Sequence, residues 1–208
     1  GVLERDAPVS EIRWIEAPVC FVFHYLNAWS EGKQITFDAI DFPVAPNFPA
    51  PDGSLPGHAE AQGRLTRWQV NVACGQIDRE LLVDVPAEFP RIDDRFAMGR
   101  HRHGFLATAS QRQRGDGGIF HEITHIDLEI GHQQSWDAGF GSGVSEPVFV
   151  ERSKQADEGA GWLLATVFDP TQNISSPVVL DAMAVSDGPV APVPLDYRVP
   201  FGFPGRLR

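Results

Sequence analysis

The chain has 208 residues, 42% of them hydrophobic, and 17 Lys plus Arg stand against 28 Asp plus Glu for a formal charge of -11. A chain of this size can bury a sizeable core, while its net negative field opposes general binding to a phosphate backbone. Two cysteines exclude a disulfide-stapled scaffold and a zinc-thiolate site, and no apolar run reaches the ~18 residues of a membrane helix.

Taken in chain order, the periodicity is short range. Residues 10–29, SEIRWIEAPVCFVFHYLNAW, alternate and then become densely apolar, which predicts two strands broken at Ala17-Pro18. Cys20 is expected to be buried there, and Cys74 to be exposed in a turn. ITFDAIDF at 35–42 alternates cleanly. Residues 43–63 hold proline and glycine too densely for a helix or a central strand, so they form the one long loop. Residues 64–85 read as a hairpin whose turn, at 73–76, carries Gly75. HGFLATAS at 103–110 is a further strand, followed by a polar turn at 111–118. IFHEITHIDLE and IGHQQSWDAG form another hairpin around Gly131. Later strand candidates lie at 145–150, 161–169, 177–185 and 190–196. No segment predicts an amphipathic helix of three turns, so the class is all-β with roughly ten short strands.

Few residues stand out for chemistry. His24 lies between aromatic residues, where an ionised ring is costly; a neutral imidazole that ligates a metal or accepts a hydrogen bond suits that setting, and a core histidine satisfied by a backbone group is the plainer alternative. HEITH at 121–125 matches the metalloprotease pattern in letters, but that pattern needs a helix. In a strand the two rings stand about 13 Å apart, too far to share an ion, so a structural strand is expected. Glu88 and Glu146 are either surface carboxylates or acceptors for the second nitrogen of a ligating histidine. The glycines of FGSGVSE, at 140–146, lack the spacing of a dinucleotide loop and are read as turn formers. Arg100, His101, Arg102 and His103 are read as a rim or ion-pair cluster. There is no nucleophile elbow, phosphate loop or calcium loop.

Several ordered segments resemble one family, the carotenoid cleavage oxygenases, also called the retinal pigment epithelial membrane protein family. They are GVLERDAPVSEIRWIEAPVCFVFHYLNAW, EFPRIDDRFAMGRHRHGF, SEPVFVER, GWLLATVFD with SPVVLDA, and VPLDYRVPFGFPG. Within the family the wording is most similar to bacterial lignostilbene and carotenoid dioxygenases. The resemblance implies a seven-bladed β-propeller, of which residues 1–208 would be a C-terminal portion of about four blades, with the Pro-rich loop 43–63 on the substrate side. It implies a non-haem Fe(II) dioxygenase that splits a carbon–carbon double bond of a carotenoid, apocarotenoid or stilbene with O2 into two carbonyl products. His24 matches one of four iron-ligating histidines, and Glu88 and Glu146 match glutamates that hold such rings. Pro204 stands where the fourth ligand falls. One ligand against four implies that this segment is inactive alone, or that the protein is a non-catalytic relative binding an apolar ligand. The expected partners are an apolar polyene or stilbene and O2, with no nucleic acid and no transmembrane segment. A cytoplasmic location follows, with peripheral membrane contact left open.

Overall fold

The structure, a computed structural model, describes residues 1–57, 60–110, 120–200 and 202. Its strands form three antiparallel sheets. The first runs β1 (Phe21–Glu31), β2 (Gln34–Phe42), β3 (Arg64–Asn71) and β4 (Gln76–Leu81) in spatial as in chain order. The second runs β5 (Ala87–Arg91), β6 (His103–Thr108), β7 (Glu122–Asp127) and β8 (His132–Asp137). The third contains β9 (Gly143–Val144), β10 (Val148–Glu151), β11 (Gly161–Asp169), β12 (Ile174–Asp181) and β13 (Pro189–Pro192), with β9 and β10 pairing successive parts of β11.

The all-β class holds, but the expected four or so blades of a propeller do not. Among the described residues there are three sheets, each open at both edges, and none closes into a barrel or propeller. The strand-poor excursions absorb chain that a fourth sheet would need: residues 43–63 make only turns and bends where they are described. The N-terminal stretch is a second correction. Residues 10–16 form no strand and contribute only the single bridge Val2↔Arg13, while a lone strand begins at Phe21. Trp14 and Val19 are exposed there, so the alternating letters have no sheet face to bury. Cys20 is half-buried rather than buried, and burial raises its thiol pKa; Cys74 is exposed in the β3–β4 turn. That turn carries Gly75 at φ 78°, and Asn71 Oδ1 accepts from Ala73 N at 2.9 Å. The polar turn expected at 111–118 lies outside the described residues.

The second sheet is the centre of the molecule because both its faces are covered. Leu106 and Ile126 pack with Leu26, Ile40, Phe42 and Leu65 of the first sheet. Phe105, Ala107 and Ile123 face Val144, Leu163, Val178 and Leu180 of the third. Alternate side chains leave opposite faces of a strand, so a strand covered on both sides must be apolar throughout. The run GFLA in β6, all of it buried, is the sequence form of that requirement.

Close backbone approach sets one tight constraint in the third sheet. A Cβ on Gly161 would stand 2.2 Å from Val150 O and 2.7 Å from the Phe149 ring. Gly161 pairs with Glu151, so the carbonyl cannot retreat without opening the β10–β11 ladder. Gly161→Ala is therefore expected to cost about 1–3 kcal/mol, whereas Gly57→Ala, which meets only the Glu60 side chain at 3.5 Å, should be nearly silent. Urea unfolding of the two variants checks this, and equal midpoints would refute it.

Candidate functional site

Two backbone irregularities bring His24 and Glu88 together. Across the β1–β2 pair, Val22 faces Asp41, Tyr25 faces Ala39 and Asn27 faces Asp38, so β1 carries extra residues on both sides of Tyr25. In β5, the register slips between Glu88 and Arg91, and Phe89 takes φ 53°. A bulge re-aims the side chains beside it, and a non-glycine residue at positive φ persists only where its surroundings hold it. Here Pro90 has no amide hydrogen to donate, while Phe89 N donates to Glu88 Oε2 at 2.7 Å. The same oxygen lies 2.5 Å from His24 Nδ1.

The pair sits in an aromatic setting. Phe23 and Phe89 have ring centroids 6.4 and 5.5 Å from the His24 ring, and Phe120 lies 6.0 Å beyond Phe89. Glu88 is buried, and burial raises its pKa; the Phe89 amide and His24 pull the other way, while the nearby Glu146 charge adds to the rise. His24 retains 31% side-chain exposure, so its ring can be reached from outside. With Nδ1 donating to the carboxylate, Nε2 presents a lone pair, which is the arrangement a metal-ligating imidazole needs. One imidazole and its carboxylate fit a single position of an iron shell.

Glu146 is paired with an arginine. Its Oε1 accepts from Arg91 Nη1 at 3.3 Å, and its side chain is 9% exposed. It also borders an open groove of about 380 Å³ that Val148, Leu164, Phe168 and Pro177 make largely apolar. Pro204, in the segment resembling the family's fourth ligand, lies outside the described residues.

HEITH forms a strand start: Glu122–Asp127 is β7, and His132–Asp137 returns as β8. His125 is buried beside Phe105, with its Nε2 3.0 Å from His103 Nδ1. His121 instead meets Glu122 and Asp137, and single ligand atoms from the three lie within 4.8 Å of one another. This is the one candidate metal cluster of three or more such residues among the described ones, and sequence reading missed it because Asp137 arrives from the neighbouring strand.

The basic tetrapeptide at 100–103 resolves into two roles. Arg100 pairs with Glu31 at 2.6 Å and Arg102 with Asp127 at 2.7 Å, while His101 and His103 are buried. Asn27 of the FHYLNA segment has a task of its own. It is buried, donates to Gly99 O at 2.9 Å and accepts from Met98 N at 3.0 Å, so it ties β1 to the loop that precedes β6.

No helix among the described residues is long and apolar enough to cross a membrane. Comparison with known proteins gives consistent matches. The family model for retinal pigment epithelial membrane protein matches residues 1–206. Isoeugenol monooxygenase of Pseudomonas nitroreducens is 36% identical over 96% of this chain and 44% of its own length. Lignostilbene-alpha,beta-dioxygenase isozyme III of Sphingomonas paucimobilis is 33% identical over 99% of the chain and 45% of its own. Among solved structures, Pseudomonas brassicacearum lignostilbene dioxygenase superposes with a TM-score of 0.88 at 28% identity, over 95% of this chain and 44% of that one. Cobalt-substituted Synechocystis apocarotenoid oxygenase superposes with a TM-score of 0.82 at 26% identity, over 95% and 41%. The chain thus spans less than half the length of the relatives it matches.

Proposed function

The chain belongs to the retinal pigment epithelial membrane protein family, and from that premise we propose that its protein cleaves a conjugated carbon–carbon double bond with O2 in an Fe(II)-dependent reaction. One double bond and one O2 become two carbonyl groups, which balances without a further reductant. The carotenoid, apocarotenoid and stilbene classes share this chemistry; the isoeugenol and lignostilbene enzymes among the relatives favour an alkene conjugated to an aromatic ring.

The observation that carries the reading is the His24–Glu88 contact at 2.5 Å. Iron, when bound, supplies the O2 activation that amino-acid side chains lack. Glu88 accepts a hydrogen bond from His24 Nδ1–H, holds the ring in one tautomer and makes Nε2 the better donor to a metal. Phe23 and Phe89 give the ring apolar neighbours on its flanks, with Phe120 packed behind Phe89. Arg91 neutralises Glu146, so two neighbouring carboxylates coexist near the site. The groove beside Glu146 offers apolar surface of the kind an uncharged alkene needs.

Iron retention after dialysis, together with aldehyde release from isoeugenol or a hydroxystilbene, tests the reading. His24→Ala should lose bound iron. Glu88→Gln removes the negative charge but keeps an acceptor oxygen, and should lower iron affinity or turnover about 10–100-fold. Iron retention unaffected by both substitutions would overturn the assignment of His24. Retained iron without cleavage of any such alkene would favour a non-catalytic binding role.

A further inference from the structure

We propose that His121, Glu122 and Asp137 form a second metal site, selective for a borderline divalent ion such as Zn2+ or Mn2+, at the β7–β8 end of the second sheet. It stands independently of the iron reading, because none of its residues belongs to the His24–Glu88 pair.

The backbone assembles it. Glu122 and Asp137 are directly opposed in the β7–β8 ladder. His121 is clamped on both sides, its N–H donating to Thr108 O at 3.1 Å and its carbonyl accepting from Ala138 N at 2.9 Å. Ligand atoms within 4.8 Å of one another need only small side-chain rotations to reach the ~4.2 Å or less that separates ligands on an ion with 2.0–2.2 Å bonds.

Charge argues for a cation there. Glu122 is 8% exposed, and the hydrogen bond it accepts comes from the Thr108 hydroxyl at 3.2 Å. Asp137 accepts from Gly139 N at 2.8 Å and stands 3.2 Å from His121 Nδ1. No arginine or lysine among the described residues pairs with either carboxylate. Two like charges thus share a partly buried corner without a full countercharge, an arrangement that a divalent ion relieves. The imidazole faces the carboxylates through its other nitrogen: His121 is 4% exposed, and its Nδ1 stands 3.2 Å from Asp137 Oδ1.

The donor set chooses the ion. One imidazole nitrogen with two carboxylate oxygens is too nitrogen-rich for Ca2+ or Mg2+ and lacks the thiolates of a soft site. Asp137 keeps 45% side-chain exposure, which gives an entry path and leaves room for water on the remaining positions.

Metal-free protein titrated with ZnCl2 tests this by calorimetry and by thermal unfolding. To separate it from any zinc captured at His24, the comparison is made in the His24→Ala background. That variant should still bind one zinc and gain thermal stability with it. Adding Asp137→Asn, a conservative change at a half-exposed position, should weaken zinc binding at least tenfold and abolish the stabilisation. Mn2+ should broaden the amide resonances of Ala138 and Gly139 in the same background, and Asp137→Asn should remove the broadening. Zinc affinity unchanged by Asp137→Asn, no zinc bound in the His24→Ala variant, or Mn2+ broadening centred on other residues would each overturn the site.

Discussion

Arg67→Met is expected to cost about 3–5 kcal/mol, because it strands a fully buried carboxylate. Asp38 has 0% side-chain exposure, and Arg67 meets it with two hydrogen bonds of 2.8 Å, Nε to Oδ1 and Nη2 to Oδ2. The two residues are opposed in the β2–β3 ladder, so the pair needs no distortion of either strand. It holds the Arg67 pKa above its usual value. The other candidate partner cannot take over: His101 Nε2 lies 3.5 Å from Asp38 without making a hydrogen bond, and burial lowers the His101 pKa, so the ring stays neutral. Removing the guanidinium therefore leaves Asp38 to protonate or to draw water inward. The companion variant Asp38→Leu with Arg67→Met removes both charges and should recover most of the loss. Urea unfolding of the single and double variants measures the difference. A single variant as stable as the parent, or a double variant as unstable as the single, would show that the pair is not what holds this part of the first sheet.

Acidification from pH 7 to about 4.5 is expected to destabilise the protein through its buried histidines. His125 is 2% exposed, and its pKa is lowered from the ordinary 6.5 to about 4, mainly by burial and then by the His103 charge. His101 and His103 are lowered as well, again chiefly by burial. The folded state thus favours the neutral rings and the unfolded state binds more protons between the two pKa values. The contribution is complete above pH 6.5 and is lost as the pH falls toward 4. For His125 the shift corresponds to on the order of 3 kcal/mol. The contact between His103 Nδ1 and His125 Nε2, at 3.0 Å, sharpens the effect, since one nitrogen must accept while two charged rings can only donate. The Arg102 pair acts lower: it holds Asp127 at about 2, so that contribution is lost only below the ordinary aspartate range. Glu88 works in the opposite sense, its raised pKa favouring the acid form, and offsets part of the loss. His125→Gln keeps a hydrogen-bonding side chain without the titration. Its stability should vary less between about pH 7 and about pH 4.5 than that of the parent. Identical slopes for the parent and His125→Gln would refute the assignment.

Local chemistry made much of the fold legible. Apolar alternation located ITFDAIDF, GWLLATVFD and the β3–β4 and β7–β8 hairpins, because one face of each strand must be buried and each tight turn needs a residue such as Gly75 or Gly131 at positive φ. The strand-like composition of HEITH decided correctly against a helical zinc signature. Ordered segments such as EFPRIDDRF and SEPVFVER were specific enough to identify the family. Three matters were decided only by tertiary structure. Strand letters cannot say which sheet a strand joins, so three open sheets replaced the expected blades, and residues 10–16, though alternating, found no face to cover. β5 was missed because its proline and bulge break the period that marks a strand, yet that bulge is what turns Glu88 toward His24. The His121–Glu122–Asp137 cluster depends on a β7–β8 register that carries no local mark on Asp137. Sequence reports what each segment can bury; which distant side chains share a corner is set by bulges and register, whose free energy comes from contacts between strands far apart in the chain.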